Sequence, residues 1–155
     1  STLLASSAAS DVYKRQHEEA EGQVKKECFV MKKVISTSNA PAAIGPYSQA
    51  IETDGYVFTS GQIPINPATG EVEGKTIEEQ TEQVMHNIGA LLEASGLTFA
   101  NVVKTTCFLA DLNDFAAFNA VYAKYFPNEA PARSCFAVAG LPKGAKLEVE
   151  TICVK

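Results

Sequence analysis

Apolar and polar positions change their spacing several times along the chain, and each change predicts an element. Lys33–Thr37 reads as a short strand. Pro41, Gly45 and Pro46 make Ser38–Pro46 a loop. Tyr47–Thr53 and Tyr56–Ser60 then read as two strands joined by Asp54-Gly55, a dipeptide suited to the positive φ values of a two-residue hairpin turn. Gly61 to Gly74 holds two prolines and three glycines and reads as loop. Ile77, Val84, Ile88, Leu91 and Leu92 form one stripe at helical spacing, predicting a helix over Thr76–Ser95. Thr76 with Glu79 has the pattern of a capping box, and Gly96 marks the stop.

Val102–Ala110 is rich in Val and Thr and predicts a strand. Asn113 is placed to cap a second helix, with Phe115, Phe118, Val121, Tyr122 and Tyr125 as its buried face and Pro127 beyond its end. Arg133–Ala139 and Leu147–Val154 predict two further strands around a loop with Gly140, Pro142 and Gly144. The order β-β-β-α-β-α-β-β predicts an α+β domain, a mixed sheet with two helices on one face. Period-two alternation sorts the last strands into faces. Leu147, Val149 and Thr151 oppose Glu148, Glu150 and Ile152; Ser134, Phe136 and Val138 oppose Arg133, Cys135 and Ala137. The second of the latter sets is small and apolar apart from Arg133, so that face is expected to be sealed by subunit association.

Composition narrows the function classes. The chain has 155 residues, 46% hydrophobic and 20% charged, enough for one domain with one core. Residues 1–10 are compositionally simple and 11–27 carry nine charges with no helical or strand period, whereas Met31 opens a patterned stretch. Residues 1–30 are therefore expected to be a disordered or non-native extension, and 31–155 the domain. A formal net charge of −5 makes nucleic acid an improbable partner. No stretch has the roughly 20 apolar residues of a membrane span. Cys28, Cys107, Cys135 and Cys153 form no CxxC, and His17 and His86 are the only histidines. That spacing predicts neither a zinc site nor a disulfide scaffold, and the expected setting is a reducing, cytoplasmic one.

Few residues remain as candidates for chemistry. Arg133 stands at the mouth of a strand, where its planar fork could pair with a carboxylate, or simply with Glu129 at the surface. Glu148 and Glu150 share a strand face and could polarise a water, or form an ordinary solvated face. Cys135 as a nucleophile would need a base, and the domain offers only His86; a small packed residue is the plainer reading. Tyr47 could donate a hydroxyl into a cleft, and Gly61 in Ser60-Gly61-Gln62 permits close approach of a ligand or just a turn. There is no GxGxxG, phosphate loop or GxSxG elbow. Spacing alone reaches an α+β domain with one candidate anion site.

Four separated segments carry a resemblance. Gly45-Pro46-Tyr47-Ser48-Gln49-Ala50, Ser60-Gly61-Gln62-Ile63-Pro64, Ala130-Pro131-Ala132-Arg133-Ser134-Cys135 and Leu141-Pro142-Lys143-Gly144-Ala145-Lys146-Leu147-Glu148-Val149-Glu150 resemble, in order, the RidA (YjgF/YER057c/UK114) family. The likeness spans about Met31 to Lys155. It implies a chorismate-mutase-like fold of the bacillus type and a homotrimer whose sheets form an inner barrel, with active sites in clefts between subunits. It implies hydrolysis of reactive enamines and imines, 2-iminobutanoate and 2-iminopropanoate, to 2-oxo acids and ammonia, without a cofactor or metal. Such intermediates are released by pyridoxal-phosphate enzymes.

On that resemblance Arg133 would clamp the substrate carboxylate, Glu148 would activate water, and Tyr47, Ser60 and Gly61 would line the cleft. Cys135 matches a family site position at which backbone and size are expected to matter more than the thiol, and Asn119 matches another. Two other readings stay open: a non-catalytic module binding small 2-oxo acids, and an endoribonuclease or translation inhibitor, against which the acidic balance argues.

Overall fold

The structure is a computed structural model that describes residues 31–155. The expected extension over 1–30, with Cys28 and His17, lies outside the described residues. Six strands form one mixed sheet: β1 (Lys33–Ile35), β2 (Ala50–Thr53), β3 (Tyr56–Thr59), β4 (Val102–Leu109), β5 (Ala132–Ala137) and β6 (Leu147–Val154). Their spatial order is β1-β2-β3-β6-β4-β5, antiparallel throughout except for β4 beside β5. Two helices, α1 (Ile77–Ala94) and α2 (Phe115–Tyr122), cover one face, so the predicted α+β order holds.

The hairpin between β2 and β3 turns at Asp54 (φ 47°) and Gly55 (φ 80°), both positive as a two-residue turn of the primed type requires. At the start of α1 the Thr76 hydroxyl accepts from the Glu79 N–H at 3.2 Å, and the Glu79 carboxylate accepts from the Thr76 N–H at 3.1 Å. At its end Gly96 takes φ 71°, and the Leu97 N–H reaches back to the Leu92 carbonyl at 2.8 Å, closing a Schellman motif. The stripe of α1 meets the sheet in a core that includes Val84, Ile88, Leu92, Leu109, Phe118, Leu147 and Val149.

Four expectations are corrected. Tyr47 is not in a strand: β2 begins at Ala50, and the Tyr47 N–H closes a tight turn on the Gly45 carbonyl at 2.8 Å. Asn113 is not the cap of α2. A short 3₁₀ turn over Leu112–Asp114 precedes the helix, and the Asp111 carboxylate accepts from the Asn113 N–H at 2.9 Å. Phe115 is 37% exposed: it is the first residue of α2, whose buried residues are Phe118, Val121 and Tyr122. Finally, the register puts Arg133 opposite Thr105 and Cys135 opposite Cys107, both on the helix side. The uncovered face carries Ser134 and Phe136 instead. Alternation separates two faces but does not say on which one the helices land.

That uncovered face exposes several large apolar side chains. Phe136 (45% exposed) and Phe58 (40%) stand on it with Val34, Tyr56 and Val154, and Phe108 packs edge-on against Phe136 at 5.3 Å. Glu148 and Glu150 rise from the same face of β6.

Candidate active site

Arg133 leaves β5 toward α2, and helical spacing on α2 builds its surroundings. Phe115, Phe118, Asn119 and Tyr122 recur at intervals of three and four, so all project to one side. The guanidinium carbon lies 4.8 Å from the centre of the Tyr122 ring, 5.6 Å from Phe115 and 5.7 Å from Phe118. Nη1 donates to Asn119 Oδ1 at 2.7 Å. Arg133 forms no ion pair among the described residues, and Glu129 is not its partner. A half-buried guanidinium lacking an anion, with its faces covered by rings, keeps N–H edges available for a carboxylate.

Cys135 sits two residues further on, half-buried. Burial pushes its thiol above the ordinary range, with the nearby Arg133 charge opposing. Cys107, its neighbour across the sheet, is pushed up to about 12 by burial. His86 is exposed on α1. These thiols are protonated at neutral pH, the state of packed residues and not of nucleophiles.

A second constellation lies elsewhere. Tyr47, Ser60, Gly61 and Glu148 line one cleft of about 520 Å³, walled by Ile44, Ile63 and other apolar side chains. The backbone explains their meeting: Gln62 bridges to Val149 in both directions, at 2.8 and 3.0 Å, which lays Gly61 against Glu148. A Cβ on Gly61 would fall 1.8 Å from Glu148 Oε1, so glycine is required for this approach. Asn87, buried on α1, donates to the carbonyls of Ile63 and Ile65 at 3.1 and 2.9 Å and pins the segment that follows.

Within the cleft the Ser60 hydroxyl donates to the Ser48 carbonyl at 2.6 Å, leaving its lone pairs to accept. The Tyr47 hydroxyl accepts from the Ile44 N–H at 3.4 Å, and its own proton has no acceptor among the described residues. Burial raises the Glu148 carboxyl above the usual carboxylate range, and repulsion from Glu150 adds to it. This suits a general base better than an ordinary solvated glutamate.

The two constellations lie on opposite sides of the sheet. Arg133, Asn119 and Cys135 lie on the helix side near the β5 edge, whereas Glu148 projects from the opposite sheet face into the cleft with Tyr47, Ser60 and Gly61. The aromatic box around Arg133 and the Asn87 tether were not singled out from sequence. The i, i+3, i+4, i+7 spacing of Phe115, Phe118, Asn119 and Tyr122 was the signal for the box, but it also reads as a plain core stripe.

Comparison with known proteins places these features in company. The family profile described as Endoribonuclease L-PSP matches residues 37–155. The chain is 46% identical over 126 residues to the mouse (Mus musculus) 2-iminobutanoate/2-iminopropanoate deaminase, covering 81% of this chain and 93% of that protein. It is 54% identical over 123 residues to Reactive Intermediate Deaminase A, chloroplastic, of Arabidopsis thaliana, covering 79% and 66%. A Lactococcus lactis relative carries a regulator's name instead. Among solved structures, the YjgF gene product of E. coli superposes with a TM-score of 0.76 at 49% identity, covering 79% of this chain and 98% of that one. E. coli TdcF with bound serine also gives 0.76, at 45% identity and 79% and 98% coverage.

Proposed function

The chain belongs to the endoribonuclease L-PSP family, the RidA group that its motifs resemble, and from that premise we propose that it hydrolyses small 2-imino acids to 2-oxo acids and ammonia. The observation that carries the reading is the boxed Arg133 guanidinium, a ready partner for a small carboxylate. A solved relative that holds serine, itself a small amino acid, supports the ligand class.

In this reading Arg133 grips the substrate carboxylate through parallel N–H···O bonds and fixes the imine carbon. Glu148 takes a proton from water as the oxygen adds to that carbon and the C=N π electrons move onto nitrogen. The protonated Glu148 then delivers its proton to the amine of the carbinolamine. The C–N bond breaks, ammonia leaves with the bonding pair, and the remaining hydroxyl loses its proton to Glu148 as the carbonyl forms. Tyr47 donates to the substrate or the water, and Ser60 and Gly61 shape the wall. Asn119 orients the guanidinium, and Cys135 supplies a small protonated neighbour. A protonated imine is already electrophilic, so positioning and one activated water suffice.

Because Arg133 and Glu148 leave opposite sheet faces, the working site is composed between subunits of a homotrimer that buries the apolar open face. The chain's acidic balance, and a single arginine among the described residues, weigh against RNA as substrate. No helix among the described residues is long and apolar enough to cross a membrane. Free Cys107, Cys135 and Cys153 favour a reducing compartment such as the cytoplasm.

The test couples the full chain to a threonine dehydratase and follows ammonia release. The parent should accelerate it and Arg133→Ala should not. Binding of 2-oxobutanoate in a calorimeter with no acceleration would make the protein a binding module. RNA cleavage that survived Arg133→Ala would overturn the reading.

A further inference from the structure

The side chains that hold Arg133 form a closed circuit. Tyr122 offers the nearest of the three rings, at 4.8 Å. Its hydroxyl shares a hydrogen bond of 2.9 Å with Thr105. Thr105 is in turn the register partner of Arg133 across β4 and β5. Both hydroxyl-bearing residues are buried, at 5% and 1% exposure. Ring packing alone would be served by phenylalanine, which would leave no polar atom to satisfy in the core. The hydroxyl therefore calls for a role beyond filling space. The hydrogen bond locks the rotation of the Tyr122 ring against the strand that fixes the Cα of Arg133. The guanidinium carbon of Arg133 lies over that ring, so a fixed ring limits where the guanidinium can sit and turn. Asn119, one turn back on α2, then sets the rotation of the guanidinium by accepting from Nη1.

We propose that Tyr122, tethered to Thr105, is the positioning residue that holds the Arg133 fork in the plane of an incoming carboxylate before substrate arrives. The inference rests on Arg133 being the carboxylate anchor of the function proposed above. Its consequence is preorganisation: the arginine loses its rotamer freedom on folding and not on binding. Tyr122 touches neither substrate nor water in this arrangement and acts only through Arg133.

The experiment uses the full chain and two readouts. The first is ¹⁵N relaxation of the Arg133 Nε–H group, which is simple to assign because the chain has only two arginines, Arg15 and Arg133. The second is the separate measurement of KM and kcat for 2-iminobutanoate. Tyr122→Phe and Thr105→Val should each lower the order of the Arg133 Nε–H group and raise KM about five- to tenfold, with kcat changed less than about twofold. Thr105→Ser, which keeps the hydroxyl, should retain the parent's order and KM. Combining Tyr122→Phe with Thr105→Val should be no worse than either alone, since both break one bond. Unchanged Arg133 order and KM in Tyr122→Phe, with only a lower Tm, would reduce the pair to core packing and overturn the proposal. If the parent hydrolyses no imine, the functional reading fails by itself, while the relaxation measurement still decides whether Tyr122 orders Arg133.

Discussion

At the scale of single residues, the cleft depends on an atom that is missing. Gly61 has ordinary backbone angles, so alanine there adds a methyl without backbone strain, and that methyl meets the end of a flexible side chain, Glu148. The carboxylate can swing aside, at the expense of its place in the cleft. Gly61→Ala is therefore expected to fold with a Tm near the parent's and to lose about 100-fold in kcat/KM, in line with an ångström-scale misplacement of a reacting group. A thermal melt beside the coupled assay checks both halves.

In the proposed reaction the same carboxylate sets the pH response. Glu148 must be ionised to accept a proton, and burial with Glu150 repulsion raises its pKa in the folded protein. The acid limb of kcat/KM should lie above the ordinary glutamate range. Glu150→Gln removes the repulsion and should move that limb to lower pH. Stability carries the opposite sign. A raised folded pKa means that stability is lost as pH rises from the unfolded pKa through the folded one, and that this cost vanishes when the group is protonated in both states. Glu148→Gln should thus raise Tm at neutral pH, give no gain near pH 3 (below the unfolded pKa of ~4.3), and abolish most activity. A Tm that fell at neutral pH would contradict the desolvation of Glu148.

At the scale of elements, the hairpin and α1 were legible because their signals are local. Asp54-Gly55, the Thr76–Glu79 box and Gly96 each encode a backbone conformation within a few residues. The start of α2 was misread because Asp111, Asn113 and Asp114 all suit a cap, and one 3₁₀ turn decides among them. The site was legible only as motifs. That Gly61 lies on Glu148 depends on an isolated bridge between Gln62 and Val149, a pairing across 87 residues that no local pattern encodes. The tether from α1 has the same long-range character. Asn87→Leu removes the shared donor to the Ile63 and Ile65 carbonyls, leaving Ile63 with the Ile65 N–H alone and Ile65 with only the 3.4 Å contact from Gln83 Nε2. It should cost about 2–3 kcal/mol in urea denaturation and loosen the Gly61 segment, lowering kcat/KM although Asn87 is not in the cleft. Stability loss with unchanged kcat/KM would show that the segment holds its shape without α1.

At the scale of the whole molecule, the sheet separates what the chemistry must unite. Arg133 lies on the helix side and Glu148 on the other, with β-strand backbone between them. The homotrimer proposed above would resolve this by joining one protomer's Arg133 to the next protomer's Glu148, and that arrangement has a numerical signature. Arg133→Ala and Glu148→Gln should each be inactive as pure proteins. Mixed in equal amounts, unfolded together and refolded, they form hybrid rings. Each interface then has an even chance of an intact Arg133 on one side and, independently, an even chance of an intact Glu148 on the other, so about one quarter of the sites should recover. A site within one chain predicts no recovery at any ratio, since no single protomer carries both groups. Phe136→Asp supplies the control from the apolar face: a charge there should prevent ring formation, seen as a monomer by light scattering, and abolish the recovery when present in both partners. Activity retained by a monomeric Phe136→Asp protein would place the reaction inside one protomer and remove the need for the ring.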